Sequence, residues 1–374
     1  MNWTKSYPAK RSFEAWVEIL QPTYNDRNVQ CILLNSCKHH WSTIVSNCTD
    51  SMKLDSGICN TSTDSIHENI KQICLIPLTV LIIGINVCVL AVIAINKRFH
   101  TTTYILVAAL GIADLCVGFV SIGTIITRAS ERTLELCLIR IGFTIACCVD
   151  SLLFLMLIAI DRYIAVFRGL RYIQIVTKGR VVFGIFLASL FSLVAGFLPL
   201  MGWRVSSYNN YCSFLYVVPV NYIMFLFSGF VLIPIVVMFG IYGRLFRKAQ
   251  FHIKKIESIE NITQPRLSTG QLGISPRTAK SLKTLMVVFG CVLVTWMPFL
   301  VTSIAQIICG DDACFLKDIV GTHLLLLGFS NSFLNPVIYA LGTRDFREKF
   351  IETCLRKCNC VKQRRANIYP GTRL

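Results

Sequence analysis

Charged residues are scarce in this sequence: they make up only 15% of its 374 residues. A soluble globular domain carries about 25% charged residues, so a surface exposed to water along the whole chain is excluded. Acidic residues are the scarcest, with 20 Asp and Glu against 37 Lys and Arg, and the formal net charge is +17. Hydrophobic residues make up 54% of the chain. The composition therefore predicts a membrane protein.

Long apolar runs account for the high hydrophobic content. A helix of about 20 apolar residues crosses the hydrocarbon core of a bilayer, at about 1.5 Å per residue. Runs of this length predict an all-α protein, a seven-transmembrane helix bundle. They lie at 73–96, 103–127, 137–162, 181–203, 220–244, 282–308 and 319–341.

The basic residues are concentrated in alternate loops, whereas the other loops mix both signs. Because Lys and Arg favour cytoplasmic loops, we expect an extracellular N-terminus and a cytoplasmic C-terminus at the plasma membrane. The basic excess is then explained by anionic membrane lipids, and we expect no nucleic-acid partner. The predicted parts are an extracellular segment 1–72, a membrane domain 73–342 and a cytoplasmic tail 343–374.

The extracellular segment carries candidate sites for modification. Asn2, Asn47 and Asn60 lie in Asn-x-Ser/Thr sequons and are predicted glycosylation sites. The segment also contains several cysteines, whose pairing the sequence leaves open. No apolar signal segment opens the chain, so we expect the first membrane helix to direct insertion.

The third apolar run has a polar face. Arg140, Thr144, Cys148 and Ser151 recur at i, i+4, i+8 and i+11, which places them on one side of a helix. A purely structural membrane helix needs no such face, so we expect it to bind a ligand. The alternative for Arg140 is that its side chain extends to the lipid headgroups.

Further polar and helix-breaking residues lie in the other runs. Asp114 is an ionisable group in mid-membrane, which favours a functional site over a protonated packing group. Pro298 favours a kink beside Trp296 in the sixth run, although a membrane helix also tolerates proline. After the seventh run, apolar residues alternate with basic ones at 345–350, which predicts a short amphipathic helix on the inner leaflet. Cys354, Cys358 and Cys360 follow as candidate palmitoylation sites or plain cytosolic thiols.

Together these residues resemble the rhodopsin-like (class A) G-protein-coupled receptors over about residues 73–355. The motifs that carry the resemblance are Asn86, Asp114 in LGIAD, Cys137, Asp161-Arg162-Tyr163, Pro234, Trp296 with Pro298, and Asn335-Pro336 with Tyr339. The resemblance implies a receptor, not an enzyme, that transduces an extracellular small-molecule signal to a heterotrimeric G protein. It implies no cofactor except an allosteric sodium ion.

The resemblance also implies roles for individual residues. Those for G-protein coupling are Asp161, Arg162, Tyr163, Tyr242 and Tyr339. Those for sodium are Asp114, Ser151, Asn331, Ser332 and Asn335. Disulfides are expected between Cys137 and Cys212 and between Cys309 and Cys314. Thr278 and Lys280 stand where an acid of the sixth helix often pairs with the third-helix arginine, so we expect a weaker lock on the inactive state.

Two subgroups of the class are similar to different parts of the chain. The stretch LRYIQIVTKGR is similar to adenosine receptors, whereas SPRTAKSLKTL is similar to the glucose-dependent insulinotropic receptor, which responds to lipid amides. Ser303 and Phe329 replace the polar residues of a nucleoside site, and Thr144 replaces the acid of an amine site. We therefore expect an elongated pocket for a lipid-like ligand and keep a nucleoside as the alternative. Its predicted residues are Arg140, Thr144, Cys148, Phe214, Trp296, Phe299, Leu300, Ser303 and Phe329.

Two other classes of membrane protein are less well supported. A transporter is disfavoured because the sequence shows no internal repeat and an odd number of apolar runs. An intramembrane enzyme is disfavoured because no His, Asp and Glu set has metal-ligand spacing, and because Asp114 and Asp150 have no evident partner acid.

Overall fold

The computed structural model describes residues 61–127, 133–205, 212–260, 276–309, 319–342 and 344–353. The predicted modification sites lie outside this part of the chain, and so do several other predicted residues. Outside it are Asn2, Asn47, Asn60, Cys314, Cys354, Cys358 and Cys360, together with the side chains of Cys309 and Tyr339.

The described residues form helices and connecting turns, with no strand among them. The first four helices are α1 Thr61–Ile95, α2 Thr102–Thr127, α3 Leu134–Phe167 and α4 Lys178–Phe197. Helix α5 consists of Val220–Leu226, a π-helical segment Phe227–Leu232, and Ile233–Glu260. The last three are α6 Pro276–Cys309, α7 Leu325–Gly342 after a π-helical turn Val320–Leu324, and α8 Arg344–Ile351.

Six of these helices, α1 to α6, are long and apolar enough to cross a membrane. The apolar part of α7, Leu325–Ile338, is shorter, but the preceding π-helical turn continues the helix toward the end that carries the disulfide. Helix α7 packs against α1, α2 and α6 and so completes the bundle. The predicted all-α seven-helix architecture is confirmed.

Several helices have boundaries that differ from those of the predicted apolar runs, among them α1 and α4. Helix α1 begins at Thr61, before the predicted boundary at residue 72, and its polar Lys71 and Gln72 are buried. Helix α4 ends at Phe197 rather than near residue 203, and the chain then turns through Gly202, whose φ of +120° favours glycine. The polar composition of the first turns of α1 obscured where that helix begins, and the apolar turn after α4 obscured where that helix ends.

A hydroxyl from α5 compensates for the proline after α4. Pro199 has no N–H, so it cannot donate a hydrogen bond to the carbonyl of Ala195 four residues earlier. Tyr222 is fully buried, and its hydroxyl donates to that carbonyl at 2.9 Å. This bond satisfies the buried acceptor and fixes α5 against the end of α4.

A disulfide and an aromatic cluster hold the two ends of the bundle. Cys137 at the start of α3 is bonded to Cys212, with 5.6 Å between the Cα atoms. At the other end, Phe346 of α8 is buried and packs 5.1 Å from Phe99 and 5.8 Å from Tyr104, measured between ring centroids. The predicted amphipathic helix is therefore present and docked by its apolar face.

Glycine allows α3 and α4 to approach closely. A Cβ atom added to Gly142 of α3 would lie 2.9 Å from the carbonyl oxygen of Gly196 in α4, and one added to Gly196 would meet Gly142 and Ala146. A Cβ at Gly184, also on α4, would only reach ordinary contact with Leu157 at 3.9 Å. Small residues at such crossings let helix backbones pack tightly in a membrane.

We expect Gly196→Ala to separate α3 from α4 and lower stability by about 1 to 3 kcal/mol, the usual cost of overpacking. The midpoint of thermal unfolding of the purified protein in detergent measures this effect. Gly184→Ala makes the same change on the same helix and serves as the control, with an expected midpoint no lower than that of the parent. Equal unfolding midpoints for the two variants would show that the close contact at Gly196 does not affect the stability of the protein.

Candidate functional site

A cavity opens at the end of the bundle that carries the disulfide. Its empty space is about 1080 Å³ with open solvent at the mouth included, and residues of α1, α2, α3, α5, α6 and α7 line it. Most of the predicted ligand residues contribute to its wall. They are Arg140, Thr144, Cys148, Phe214, Trp296, Phe299 and Phe329.

Arg140 lies in the cavity wall rather than at the lipid interface. Its guanidinium donates hydrogen bonds to the hydroxyl of Thr124 on α2 at 3.2 Å and to the carbonyl of Cys212 at 3.3 Å. One turn further along α3, Thr144 donates to the Arg140 carbonyl at 2.9 Å. The arginine therefore joins α2, α3 and the disulfide-bonded segment, which argues against extension to the headgroups.

Aromatic rings form the deeper part of the cavity. Phe299 of α6 lies 5.9 Å from Trp296 and 5.9 Å from Phe227 of α5, between ring centroids, with edge-to-face geometry. Phe214, just after the disulfide, lies 6.4 Å from Phe299. Such a wall favours an apolar part of a ligand.

Two predicted residues lie elsewhere, and several lining residues were missed, among them Lys71 and Thr124. Leu300 and Ser303 are buried in the bundle and do not line the cavity. An apolar helix face is about 100° wide, so it includes residues packed against neighbouring helices as well as residues of the cavity wall. Helical spacing therefore did not distinguish Leu300 and Ser303 from the lining residues. Lys71 of α1 and Thr124 of α2 line the cavity instead. The sequence placed Lys71 in the extracellular segment and carried no signal for its position.

Below the cavity, Asp114 is fully buried between three helices. It accepts hydrogen bonds from the Ser151 hydroxyl at 2.9 Å and from the Asn335 amide nitrogen at 3.1 Å. Asn86 of α1 donates to the carbonyl of Ser332 at 3.0 Å. The structure thus joins Asp114, Ser151 and Asn335 across α2, α3 and α7, and Asn331 and Ser332 lie within about one turn of Asn335 on α7.

This polar cluster has spare oxygen acceptors. In the part of the chain that the structure describes, the amide oxygens of Asn86, Asn331 and Asn335 are buried and accept no hydrogen bond. Unsatisfied buried acceptors are costly, and one carboxylate with several neutral oxygens suits a hard cation. The residues present therefore fit a sodium ion.

Asp150, whose role the sequence left open, is not part of this cluster. It faces α4 near Ser189 and Ser192, and the Ser192 hydroxyl donates to the carbonyl of Ala188 at 2.8 Å. One of its carboxylate oxygens is buried and accepts no hydrogen bond from the described residues.

At the opposite end of the bundle, Asp161 is the centre of a hydrogen-bond network. Its carboxylate accepts from the Thr103 hydroxyl at 2.9 Å, from the Tyr172 hydroxyl at 2.6 Å and from Nε of Arg162 at 2.9 Å. Arg162 also donates to the Thr103 hydroxyl. Sequence reasoning missed Thr103 and Tyr172, because both become neighbours only when the turn after α3 folds back toward α2.

The other residues predicted for coupling have separate contacts. Tyr163 stacks on Phe167 with ring centroids 4.5 Å apart. Tyr242 of α5 is buried and packs 5.1 Å from Phe289 of α6. Arg162, Tyr163 and Tyr242 are thus found at one end of the bundle, but the hydrogen bonds of Arg162 described above hold it toward α2.

A lysine links α5 to the last turn of α3. The ammonium group of Lys248 donates to the carbonyl of Val166 at 2.8 Å and lies 4.4 Å from the centroid of the Phe167 ring. Carbonyl groups in the last turn of a helix have no intrahelical partner and attract cations. This contact therefore restrains α5 against α3, close to Arg162.

Comparison with known proteins identifies the family. The model of the family described as "7 transmembrane receptor (rhodopsin family)" matches residues 85–339. The chain is 30% identical to the adenosine receptor A2a of Canis lupus familiaris over 293 residues, which covers 74% of this chain and 69% of the relative. It is 30% identical to the human histamine H2 receptor over 286 residues, with 73% and 76% covered. It is also 30% identical to the glucose-dependent insulinotropic receptor of Rattus norvegicus over 295 residues, with 74% and 60% covered.

These relatives are named as receptors, and the description of the family agrees with the seven-helix bundle of the structure. The protein is therefore a multi-pass membrane protein of the rhodopsin family, a G-protein-coupled receptor.

Proposed function

We propose that this receptor binds a lipid-like small molecule in the cavity between its helices. The observation that carries the proposal is the position of Arg140, whose guanidinium lies in the wall of a cavity with a largely apolar interior. Ligand cavities are mostly apolar, with a few polar groups that orient the ligand. The ligand's polar head lies near Arg140 and its chain extends toward Trp296.

Two other ligand classes are less well supported by the cavity. An amine, as the name of the histamine H2 receptor indicates for that relative, needs an acidic counter-charge. No Asp or Glu lines the cavity in the described part of the chain. A nucleoside remains the second candidate because of the likeness to an adenosine receptor, but Ser303 lies outside the cavity wall and Phe329 contributes an apolar ring there.

The signal passes from the cavity to a heterotrimeric G protein at the other end of the bundle. Trp296, two residues before Pro298, and Phe299, directly after it, both line the cavity. A ligand that prefers one arrangement of these rings shifts a two-state equilibrium of α6. Arg162 then leaves Asp161 and Thr103 and, with Asp161, Tyr163, Tyr242 and Tyr339, forms the G-protein site.

The receptor lies in the plasma membrane with its N-terminus outside. Alternation of basic loops along the sequence supports this orientation. Asn2, Asn47 and Asn60 then carry glycans, Cys309 pairs with Cys314 in the oxidising space, and Cys354, Cys358 and Cys360 carry palmitoyl groups beside α8. A sodium ion held by Asp114, Ser151, Asn331, Ser332 and Asn335 supplies a positive charge that stabilises the inactive state.

The ligand proposal predicts a loss of potency in Arg140→Ala. A cAMP assay across lipid amides, lysophospholipids and nucleosides should identify a lipid-like agonist. For that agonist, Arg140→Ala should raise the half-maximal concentration at least tenfold, equal to about 1.4 kcal/mol. Arg204 provides the control, because it lies near the same end and pairs with Glu135 at 3.5 Å instead of lining the cavity. An unchanged response of Arg140→Ala at matched surface expression, or activation by nucleosides alone, would contradict the proposal.

The sodium proposal predicts that Asp114→Asn removes the effect of sodium on basal activity. Nucleotide exchange on added G protein is measured in sodium chloride and in choline chloride at equal ionic strength. Exchange by the parent should fall in sodium, because the ion favours the inactive state, and exchange by Asp114→Asn should not change. Asp150→Asn alters another buried carboxylate and should keep the sodium effect. The same loss in both variants would refute a specific site at Asp114.

The contact of Lys248 with α3 predicts higher basal activity when it is removed. Loss of a cation from a helix C-terminus costs no more than about 1 kcal/mol when the site is exposed. A change of about 1 kcal/mol corresponds to a roughly fivefold shift between the two states. Lys248→Met should therefore raise ligand-free nucleotide exchange about fivefold at matched surface expression. Arg247→Met is the control, since the Arg247 side chain is exposed and, among the described residues, bonds only to Gly243 of its own helix. If both variants match the parent, Lys248 does not restrain the inactive state.

A further inference from the structure

We infer that the α3–α4 turn, residues 168–180, binds the phosphorylated head of a phosphoinositide in the inner leaflet of the membrane. The turn joins two membrane spans, since α3 ends at Phe167 and α4 begins at Lys178. The connection is short, so it lies at the membrane surface. The inference rests on the proposed orientation, which places this turn on the cytoplasmic side, and is independent of the proposed ligand.

The turn carries cations without acidic counterparts. Arg168, Arg171 and Lys178 are exposed, and their side chains have no hydrogen bond or ion pair among the residues that the structure describes. The next acidic residue after Asp161 is Glu257, so the sequence of the turn and of α4 contains no carboxylate. Asp161 itself is buried and accepts hydrogen bonds from its neighbours. An anion from outside the chain therefore complements the charge of this surface.

The same turn exposes large apolar side chains. Leu170 is fully exposed, and 82% of Ile173 is exposed. The two residues are three positions apart in the short helical turns that follow α3, as are Arg168 and Arg171, so each pair shares a face. A basic face next to an apolar face is typical of a segment that lies in the membrane interface. The apolar pair then inserts among the lipid chains, and the basic pair lies at the level of the phosphates.

Polar contacts fix the turn against the bundle. The Tyr172 hydroxyl donates to Asp161 at 2.6 Å and lies 3.1 Å from the Thr102 hydroxyl of α2. The guanidinium of Arg180 donates to two carbonyls of the preceding helical turn, at 3.0 and 2.9 Å. A surface that is fixed in this way loses little conformational freedom when it binds a partner.

A phosphoinositide matches both faces of the turn. A guanidinium presents planar donors that match two oxygens of a phosphate, and an ammonium adds a compact point charge. The phosphates on the inositol ring meet the basic face, and the acyl chains meet the apolar face. Clusters of basic residues directly beside a membrane span attract anionic lipids. Phosphatidylserine offers only one phosphate, a diester, and is therefore the weaker match.

A G protein is the other macromolecule that reaches this end of the bundle. Among the proposed coupling residues, Tyr242 of α5 packs against Phe289 of α6. The turn instead bonds to α2 through Tyr172, and α4 packs mainly against α3 and α2. The turn thus lies on a different side of the bundle from α5 and α6, which favours a lipid as its partner.

The experiment compares three probes that differ in one part at a time. The full-length receptor is purified in an uncharged detergent, and native mass spectrometry measures the bound probe. Dioctanoyl phosphatidylinositol bisphosphate is compared with dioctanoyl phosphatidylserine and with inositol trisphosphate, which has the phosphates without acyl chains. We expect the phosphoinositide to reach half-saturation at a concentration at least about tenfold below that of either other probe, because only it matches both faces.

Variants of the turn test whether these residues recognise the lipid. Arg168→Gln combined with Arg171→Gln should raise the half-saturating concentration of the phosphoinositide at least about tenfold, because each basic residue at the surface contributes to the attraction. Lys97→Gln combined with Arg247→Gln removes the same charge from exposed positions outside the turn and should bind as the parent does. Leu170→Ser should reduce the preference for the phosphoinositide over inositol trisphosphate. Thermal unfolding shows whether each variant is folded.

Several outcomes would overturn the inference. Equal binding of the phosphoinositide by the folded Arg168 and Arg171 variant and by its control excludes the turn as the site. Equal affinity of the parent for phosphatidylserine excludes recognition of the inositol phosphates, and equal affinity for inositol trisphosphate shows a site for free phosphate rather than for lipid. Unchanged lipid binding together with lost nucleotide exchange on added G protein would make the turn a G-protein contact.

The proposed orientation is tested separately. An antibody against an epitope tag at the N-terminus should bind to intact cells that express the receptor. If it binds only after the cells are permeabilised, the orientation is wrong and the turn does not face the inner leaflet. Binding in detergent does not depend on orientation, so the two failures are distinguishable.

Discussion

The buried carboxylate of Asp114 is the constraint on which the rest of the bundle depends. A group of this kind in the middle of a membrane must be surrounded by polar partners, and its partners here come from α3 and α7, with Asn86 joining α1 to α7 through the Ser332 carbonyl. These contacts tie α2 to α3 and α7, and α1 to α7, in the middle of the bundle. The spare acceptors beside them leave room for a cation, so the same cluster connects helix packing to regulation.

The two functional ends lie on either side of this cluster, and irregular helix geometry lies mainly at the cavity. The π-helical segments in α5 and before α7 both contribute residues to its wall, and Pro298 is next to Phe299 in α6. Such irregular turns often occur at functional sites. The opposite end is held by polar contacts, those of Asp161 with Arg162 and of Lys248 with the Val166 carbonyl. A ligand can thus act on flexible geometry at one end and weaken specific bonds at the other.

Much of the candidate site could be predicted because helical periodicity relates sequence spacing to position. Arg140, Thr144 and Cys148 share one face of α3 and all line the cavity. The same argument failed for Leu300 and Ser303, because a helix face is wider than the cavity that it borders. It could not find Lys71, Thr103 or Tyr172, since their partners are distant in sequence and no periodic pattern connects them.

The sequence by itself determined the seven-helix membrane architecture, since apolar runs of this length have few alternatives to spanning helices when every backbone group must be satisfied in lipid. It also determined the helix breakers and the polar residues that carry the family resemblance. Only the tertiary structure decided which polar groups meet. The hydroxyl of Tyr222 replaces the bond missing at Pro199, and Lys71 lies in the cavity with Arg140. These contacts depend on how separate helices are rotated and packed, which local sequence does not specify.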